Sequence, residues 1–144
     1  KQALNKIKLI AKAEKYEGKP LIYNPRFRDK ITKAEINLAA LEFSELRIIS
    51  KESKGFKPGH ESSFLKIRGS EIQQEISQLA LEAVGYHGMP MQPDYLKPGN
   101  NETPIGPGYS VNVAPKYFNN RKTTIYGGSN EIQKNILSKM VLGL

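Results

Sequence analysis

The longest uninterrupted helical pattern, over residues 24–52, places the strongest constraint on what this chain can fold into. Asn24 and Pro25 form a helix start, because asparagine caps backbone N–H groups and the φ of proline suits the first helical position. Two separate apolar stripes then recur at helical spacing. A helix with two apolar faces needs neighbours on both sides, so we expect it to be buried between other helices. The stripes are Phe27, Ile31, Ala34, Leu38, Leu41 and Ile48, and Ile36, Ala39, Ala40, Phe43 and Leu46.

Similar patterns predict a helix on each side of this one. An apolar stripe with lysines between its members predicts a helix over residues 1–16, which a glycine and a proline end soon afterwards. A third helix is expected over residues 61–84, with Gly85 as its left-handed C-cap. Gly69 inside it costs about 1 kcal/mol relative to alanine. We interpret Gly69 as the sign of a close crossing with another helix.

The second half of the chain is less regular. Residues 86–113 hold five prolines and several glycines, and so predict a long Pro/Gly-rich loop, a type of segment that often carries function. A short helix is expected over residues 115–124, and a last one over 129–141. The short connections favour antiparallel packing of the helices. The sequence therefore predicts an all-α, antiparallel four-helix bundle that forms a single domain over residues 1–144.

A glycine pair, Gly127-Gly128, directly precedes the predicted last helix. Such a pair permits positive φ and a close approach of the backbone to a ligand. Ser129 or Asn130 can cap the helix, whose first turn offers N–H groups and the positive end of the dipole to an anion or a polar group. Glu131 suits this first turn electrostatically. The pattern alone fits both a generic helix cap and a ligand-binding turn.

Composition excludes several kinds of site. The chain has no cysteine, which excludes disulfides, thiolate nucleophiles and cysteine-bound metals. His60 precedes a helix start, so we interpret it as a solvent-facing or capping residue. His87 lacks the partners of a metal ligand, so we interpret it as structural or exposed and expect no metal. Nothing in these residues resembles a signal peptide, and no apolar run approaches the roughly 18 residues of a membrane span. We therefore expect a cytoplasmic protein without a membrane span.

The net charge of +8 is compatible with three interpretations. A basic balance fits a solvated surface, an anionic ligand or a nucleic acid. The lysines are spread along helix faces and nowhere form a run of five, which favours the solvated surface, with an anionic ligand second. The tyrosines do not alternate with arginines in one stretch, as single-strand platforms often do, so nucleic acid ranks last.

The last segment resembles the C-terminal signature of the acyl-CoA dehydrogenase family. Residues 125–136 read Ile-Tyr-Gly-Gly-Ser-Asn-Glu-Ile-Gln-Lys-Asn-Ile, where members have Ile-Tyr-Glu-Gly-Thr-Ser-Glu-Ile-Gln-Arg or Ile-Ala-Gly-Gly-Thr-Ser-Glu-Ile-Gln-Arg. The chain also ends in the Leu-Gly-Leu that often follows in the family. Weaker similarity covers residues 61–71, 82–88 and 120–125.

This resemblance implies a flavoenzyme of fatty acid metabolism that binds FAD. In such enzymes a carboxylate removes the α-proton of an acyl-CoA thioester, and a hydride leaves the β-carbon for the flavin N5, giving a 2,3-enoyl-CoA. Electrons pass to an electron-transfer flavoprotein or a similar acceptor. The family joins an N-terminal helical domain, a β domain and a C-terminal four-helix bundle in homodimers or homotetramers. This chain corresponds to the bundle alone, so we expect it to be part of a longer polypeptide and inactive by itself.

The resemblance implies that Gly127 acts through its backbone and that the catalytic glutamate of many members is missing at this position. In short- and medium-chain members the general base is the glutamate of Tyr-Glu-Gly, at the position of Gly127. Other members supply this glutamate from a preceding helix, at a place that would lie before Lys1. The base is therefore outside this chain or absent. The Gly127 N–H can still donate to the thioester carbonyl and stabilise the enolate-like charge.

The other roles follow from the same match. Tyr126 and Gly128 are expected to line the substrate site. Ser129, Asn130 and Glu131 match the stretch that contacts the flavin cofactor, and Ser129 keeps the hydroxyl of the usual threonine.

Departures from the family pattern leave a second interpretation open. Many members have Arg-x-x-Phe-Gly near the second helix of the bundle, where its arginine contacts flavin bound largely by a neighbouring subunit. Residues 18–28 lack this motif, although Arg26 or Arg28 could substitute. Lys134 replaces the arginine of the signature and keeps its charge but not its fork geometry. The alternative is a non-catalytic assembly subunit or domain of the same fold. A basic helical nucleic-acid-binding module is a third possibility, which rests on charge alone.

Overall fold

The computed structural model describes residues 1–57, 59 and 61–143, so the interpretation of His60 lies outside the described residues. The fold is mostly helical, in agreement with the all-α prediction. Among the described helices, none is long and apolar enough to cross a membrane. The α-helices are α1 Gln2–Ala13, α2 Pro25–Glu52, α3 Glu61–Val84, α4 Val113–Asn119 and α5 Asn130–Leu137.

The first helix ends earlier than predicted because a small hairpin follows it. Two antiparallel strands, β1 (Lys15–Tyr16) and β2 (Lys19–Pro20), pair directly after α1. Their two-residue loop has positive φ at both positions, 51° at Glu17 and 78° at Gly18. This is the conformation that the right-handed twist of a tight hairpin favours. A 3-10 turn over Leu21–Tyr23 then leads into α2.

The two long helices begin and end where the sequence predicts. Asn24 caps α2, and its Oδ1 accepts a hydrogen bond from the Phe27 N–H at 3.1 Å. Pro25 occupies the first helical position. Gly85 follows the last residue of α3 with a φ of 51°, the left-handed conformation expected of a C-cap.

The expectation that α2 is buried on two sides is wrong for this chain. Its first stripe enters the core, where Phe27, Ile31 and Ala34 are buried. On the second stripe, the exposed fraction is 64% for Ile36 and 69% for Phe43. The core that α2 shares with α1 and α3 lies on the first stripe alone, so the second stripe faces away from it.

Helix α3 is the central element, since it packs against α1, α2, α4 and α5. The side toward α1 and α2 is apolar. The core cluster consists of Leu4, Ile7, Ile10 and Ala11 of α1, Phe27, Ile31 and Ala34 of α2, Leu79, Ala83 and Val84 of α3, and Val113 of α4.

Another side of α3 is polar although it is buried. Ser63, Ser70 and Ser77 are buried and recur every seven residues, which is close to two helical turns. Ser70 hydrogen-bonds Asn130, and Ser77 hydrogen-bonds Arg121. Ser70 and Ser77 therefore face the C-terminal segment, which carries the glycine pair.

Gly69 does face α2, but the crossing there does not require glycine. A Cβ placed on Gly69 would lie 3.9 Å from Leu41 Cδ2, which is an ordinary van der Waals contact. The interpretation of Gly69 as the mark of a close crossing is therefore wrong. Alanine fits at this position.

The segment between α3 and α4 contains only short turns of helix, at Gly85–Gly88 and Asp94–Leu96. The helix predicted over residues 115–124 starts at Val113 and tightens into a 3-10 helix over Asn120–Thr124. The last helix widens into a π-helical turn over Ser138–Leu142. These C-terminal elements place the glycine pair between a 3-10 helix and α5.

Candidate functional site

The glycine pair forms a turn in which both residues have positive φ, 67° at Gly127 and 82° at Gly128. Both glycines are exposed. A Cβ on Gly127 would have no heavy atom within 4 Å, whereas a Cβ on Gly128 would lie 2.8 Å from Gln133 Nε2. The backbone at Gly127 is therefore open to a ligand, and the absence of a side chain at Gly128 makes room for Gln133.

Gln133 fixes the peptide unit inside this turn. Its side chain reaches back from α5, and Nε2 donates to the carbonyl of Gly127 at 3.1 Å. The helix start is also capped, because Ser129 Oγ accepts a hydrogen bond from the Ile132 N–H at 3.4 Å. Of the two cap candidates, Ser129 is the residue that caps. Gln133 and the Ser129 cap, both at the start of α5, thus hold the turn in place.

Asn130 anchors the same helix start to α3. It is buried, and its Oδ1 accepts a hydrogen bond from Lys66 Nζ at 2.7 Å. Asn130 also exchanges hydrogen bonds with Ser70 Oγ at 3.2 Å. Its side chain is therefore committed within the chain. The part of Asn130 that can bind a ligand is therefore its backbone N–H, which lies in the first turn of the helix.

Glu131 is the exposed acid of this helix end. Its pKa is lowered, first by a hydrogen bond from its own backbone N–H and then by one from the Ser129 hydroxyl, with Lys134 and Lys66 adding attraction. The carboxylate is therefore ionised at neutral pH. A negative charge at this place offsets the positive end of the helix dipole. The site consequently suits hydrogen-bond donors better than phosphate groups.

The segment that leads into the turn is held on α3 by a polar network. Gln74 Nε2 donates to the carbonyls of Asn120 at 3.2 Å and Arg121 at 3.1 Å. In return, Arg121 Nη2 donates to the Gln74 carbonyl at 3.1 Å and to Ser77 Oγ at 3.2 Å. The Arg121 guanidinium also lies 4.3 Å from the centre of the Tyr117 ring, a cation–π contact.

Sequence reasoning missed Lys66 and Gln74, which hold the site from α3. One signal for them exists, since the buried serines of α3 repeat every seven residues. A row of small polar residues on one helix face indicates a polar contact with another segment. That signal does not say which segment it is, because the partners lie about 50 residues or more away along the chain.

Tyr126 and Ile125 form an exposed apolar edge beside the turn. Their exposed fractions are 56% and 68%. The structure therefore brings Tyr126, Gly127 and Gly128 together with Ser129 and Glu131 at one exposed end of α5, and turns Asn130 inward.

His87 lies in a separate cluster, between the end of α1 and the loop before α4. Its Nδ1 lies 3.1 Å from Glu14 Oε1, which also accepts a hydrogen bond from the Tyr109 hydroxyl at 2.7 Å. Burial, and then the carboxylate of Glu14, raise the pKa of Tyr109 to about 12. The described residues contain no group of three or more His, Asp or Glu side chains that could hold a metal ion.

The family model and the relatives that match this chain point to the same family. The family model for the acyl-CoA dehydrogenase C-terminal domain matches residues 1–142. Acyl-CoA dehydrogenase IpdE1 of Mycobacterium tuberculosis (strain ATCC 25618 / H37Rv) is 29% identical over 121 residues, which cover 84% of this chain and 27% of that protein. The protein of the same name from Mycolicibacterium smegmatis (strain ATCC 700084 / mc(2)155) is 25% identical over 84% of this chain and 26% of its own length. The chain thus spans about a quarter of the length of these relatives.

Solved structures show the same fold. The FAD complex of PigA has a TM-score of 0.76 at 20% identity, and the match covers 99% of this chain and 32% of PigA. The ChsE4-ChsE5 complex from Mycobacterium tuberculosis also has a TM-score of 0.76, at 22% identity, with 99% and 35% covered. The electron transferring flavoprotein of Acidaminococcus fermentans has a TM-score of 0.75 at 14% identity, with 97% and 32% covered.

Proposed function

This chain belongs to the acyl-CoA dehydrogenase family, and we propose that it is the C-terminal domain of a flavin-dependent enzyme that oxidises an acyl-CoA thioester to a 2,3-enoyl-CoA. The observation that carries the proposal is the exposed turn at Gly127. Its backbone is open to a ligand, and Gln133 and the start of α5 hold it in place.

Gly127 acts through its N–H. We propose that this group donates to the carbonyl of the thioester and stabilises the negative charge that develops on it when the α-proton leaves. A donor aimed in advance needs no reorganisation during the reaction, which is why the contacts from Gln133 and Asn130 matter. Tyr126 and Gly128 line the substrate at the same place.

The residues of the turn fit part of a flavin cofactor. Ser129 offers a hydroxyl, Glu131 an ionised carboxylate, and Asn130 a backbone N–H. An acceptor-rich set of this kind suits the hydroxyl-bearing part of FAD and not its diphosphate. When bound, the flavin supplies the acceptor for the hydride.

The general base is the part that these residues do not supply. Gly127 has no carboxylate, and the lowered pKa of Glu131 makes that carboxylate a weak base. We therefore propose that a carboxylate outside these 144 residues removes the α-proton. The isolated chain is then inactive, because it lacks the base and the rest of the flavin and acyl sites.

The exposed face of α2 bears on how the chain assembles with other chains. We propose that α1, α2, α3 and the C-terminal helices form an antiparallel four-helix bundle, and that bundles associate into a homodimer or homotetramer in the cytoplasm. The exposed second stripe of α2 supports such an association, since exposed apolar patches mark interaction surfaces. Electrons would leave through an electron-transfer flavoprotein or a similar acceptor.

The test uses a polypeptide that carries this chain together with the remaining domains of the enzyme. We expect the purified protein to show flavin absorbance and to reduce an electron-accepting dye when it is given an acyl-CoA. The 144-residue chain alone should do neither. A complete protein without flavin absorbance would refute the proposal.

A non-catalytic subunit of the same fold is the second candidate. Gly127 in place of a glutamate favours it, as does the absence of Arg-x-x-Phe-Gly from residues 18–28. One structural neighbour is a complex of two named proteins, ChsE4 and ChsE5. Turnover by the complete protein without a second polypeptide would exclude this candidate.

A further inference from the structure

A cavity of about 340 Å³ lies among α1, α2, α3 and the start of α4. Its wall is formed mainly by aliphatic side chains from the first three of these helices. None of its lining residues belongs to the glycine turn, so it is a separate space from the proposed catalytic site. The main wall residues are Ile7, Ile10, Leu38, Leu41, Ile72 and Ile76.

Two of the polar side chains that line the cavity form hydrogen bonds within the chain. The Tyr109 hydroxyl donates to Glu14, and Ser77 Oγ donates to the Gln74 carbonyl at 2.8 Å. These two groups therefore offer little to the body of a ligand. The interior suits a hydrocarbon, whose burial is favourable in proportion to the apolar area removed from water.

The charges at the mouth of the cavity are of one sign. Lys6 and Lys116 are exposed lining residues, and the described lining contains no Asp or Glu. Neither lysine has an ion-pair partner among the described residues. Lys1, which directly precedes α1, and Lys8 of α1 are paired with glutamates of α2. The two lysines at the mouth are therefore available to an anion.

We propose that this cavity binds a fatty carboxylate, with its hydrocarbon chain between α1, α2 and α3 and its carboxylate at the mouth beside Lys6 and Lys116. The volume falls within the range of roughly 300–1,000 Å³ that small-molecule pockets have. The apolar wall gives most of the affinity, and the lysines select an anionic end over a neutral one. This proposal does not depend on the dehydrogenase function.

Calorimetric titration of the 144-residue chain with decanoate and with decanol tests the proposal. We expect saturable one-to-one binding of decanoate below the concentration at which it forms micelles. The double variant Lys6→Gln/Lys116→Gln should bind decanoate roughly tenfold more weakly, because two solvent-exposed charge contacts are lost. The same variant should bind decanol as the unaltered chain does. Added salt should weaken the binding of decanoate but not that of decanol.

The matched control is Lys12→Gln/Lys122→Gln, which removes two exposed lysines that do not line the cavity. It should bind both ligands like the unaltered chain. Absence of saturable decanoate binding would overturn the proposal, and so would an equal loss of affinity in both double variants.

A second variant tests the interior. Ala80 lines the cavity from α3, so Ala80→Phe should fill it and abolish the binding of both ligands. Circular dichroism and the unfolding midpoint establish whether this variant folds. A folded Ala80→Phe chain that binds decanoate with unchanged affinity would contradict the assignment. If Ala80→Phe does not fold, the lysine variants decide the question, because their side chains are exposed.

Discussion

Two sides of α3 hold the molecule together by different means. Toward α1 and α2, Leu79 and Ala83 join an apolar core. Toward the C-terminal segment, Ser70, Gln74 and Ser77 form hydrogen bonds with Asn130 and Arg121. Apolar burial has no preferred direction, and here it leaves a cavity of about 340 Å³. Hydrogen bonds depend on distance and angle, so the polar side fixes where the glycine turn lies.

The difference between the two sides of α3 explains why the polar side carries the proposed site. An N–H must be placed within a few tenths of an ångström to stabilise a developing charge. Buried polar groups supply this accuracy because leaving one unpaired is costly. We therefore expect changes on the apolar side to alter global stability, and changes on the polar side to loosen α5 and the turn.

The largest effect is expected at Ile7, in the apolar core. The exposed fraction of Ile7 is 2%, so Ile7→Ala should lower the free energy of unfolding by about 2–5 kcal/mol through lost burial and a larger cavity. Urea denaturation measures this loss. Leu9→Ala is the matched control on the same helix, since Leu9 is 65% exposed, and it should change stability by less than about 0.5 kcal/mol. Equal effects of the two changes would contradict the assignment of the core.

Asn130→Ala should come next. It leaves Lys66 without its printed partner, whereas Ser70 loses Asn130 but keeps the Ile67 carbonyl, and the change should cost about 1–3 kcal/mol. Hydrogen exchange should accelerate first in residues 127–137, with α1 remaining protected. Asn135→Ala, at an exposed position of α5, is the control and should leave exchange unchanged. Uniform acceleration throughout the protein would show that the two sides of α3 do not act separately.

The glycine pair allows a finer test of the turn. Both Gly127→Ala and Gly128→Ala force a side chain onto positive φ, at about 1–2 kcal/mol each. Gly128→Ala should cost more, because its Cβ would meet Gln133 Nε2. In a Gln133→Ala background this difference should disappear. If it persists in unfolding measurements, Gln133 does not shape the turn.

The smallest predicted effect is a gain. Gly69→Ala should stabilise the protein by about 0.5–1 kcal/mol, because alanine favours the helix and its Cβ has room beside Leu41. Thermal unfolding measures it. A loss of stability would mean that α2 and α3 approach each other more closely at this point than the structure shows.

A pH measurement examines one polar contact at the edge of the apolar side. The pKa of Tyr109 is raised from 10.0 to about 12, so the folded state favours the protonated phenol. This stabilisation is complete below pH 10 and is lost as the pH rises through about 12. Unfolding followed over that range should show the loss in the unaltered chain and a smaller one in Tyr109→Phe. Identical pH profiles would show that ionisation of Tyr109 does not cause the loss.

The features predicted from sequence were those set by neighbouring residues. The bounds of α2 and the Asn24 cap were correct, because periodicity and capping act within a few residues. The exposure of Ile36 and Phe43 was missed, since an apolar stripe does not reveal whether a partner covers it. The inward turn of Asn130 was also missed, because it depends on Lys66, which lies 64 residues away.

We propose that the backbone N–H of Gly127, held in place by the polar side of α3, acts on the substrate. The most direct test replaces the peptide bond before Gly127 with an ester, by semisynthesis of the complete protein, which removes the N–H and leaves the φ angle available. We expect the flavin content to stay unchanged and kcat for an acyl-CoA to fall about 10²–10³-fold. Unchanged kcat in the ester variant would contradict the claim.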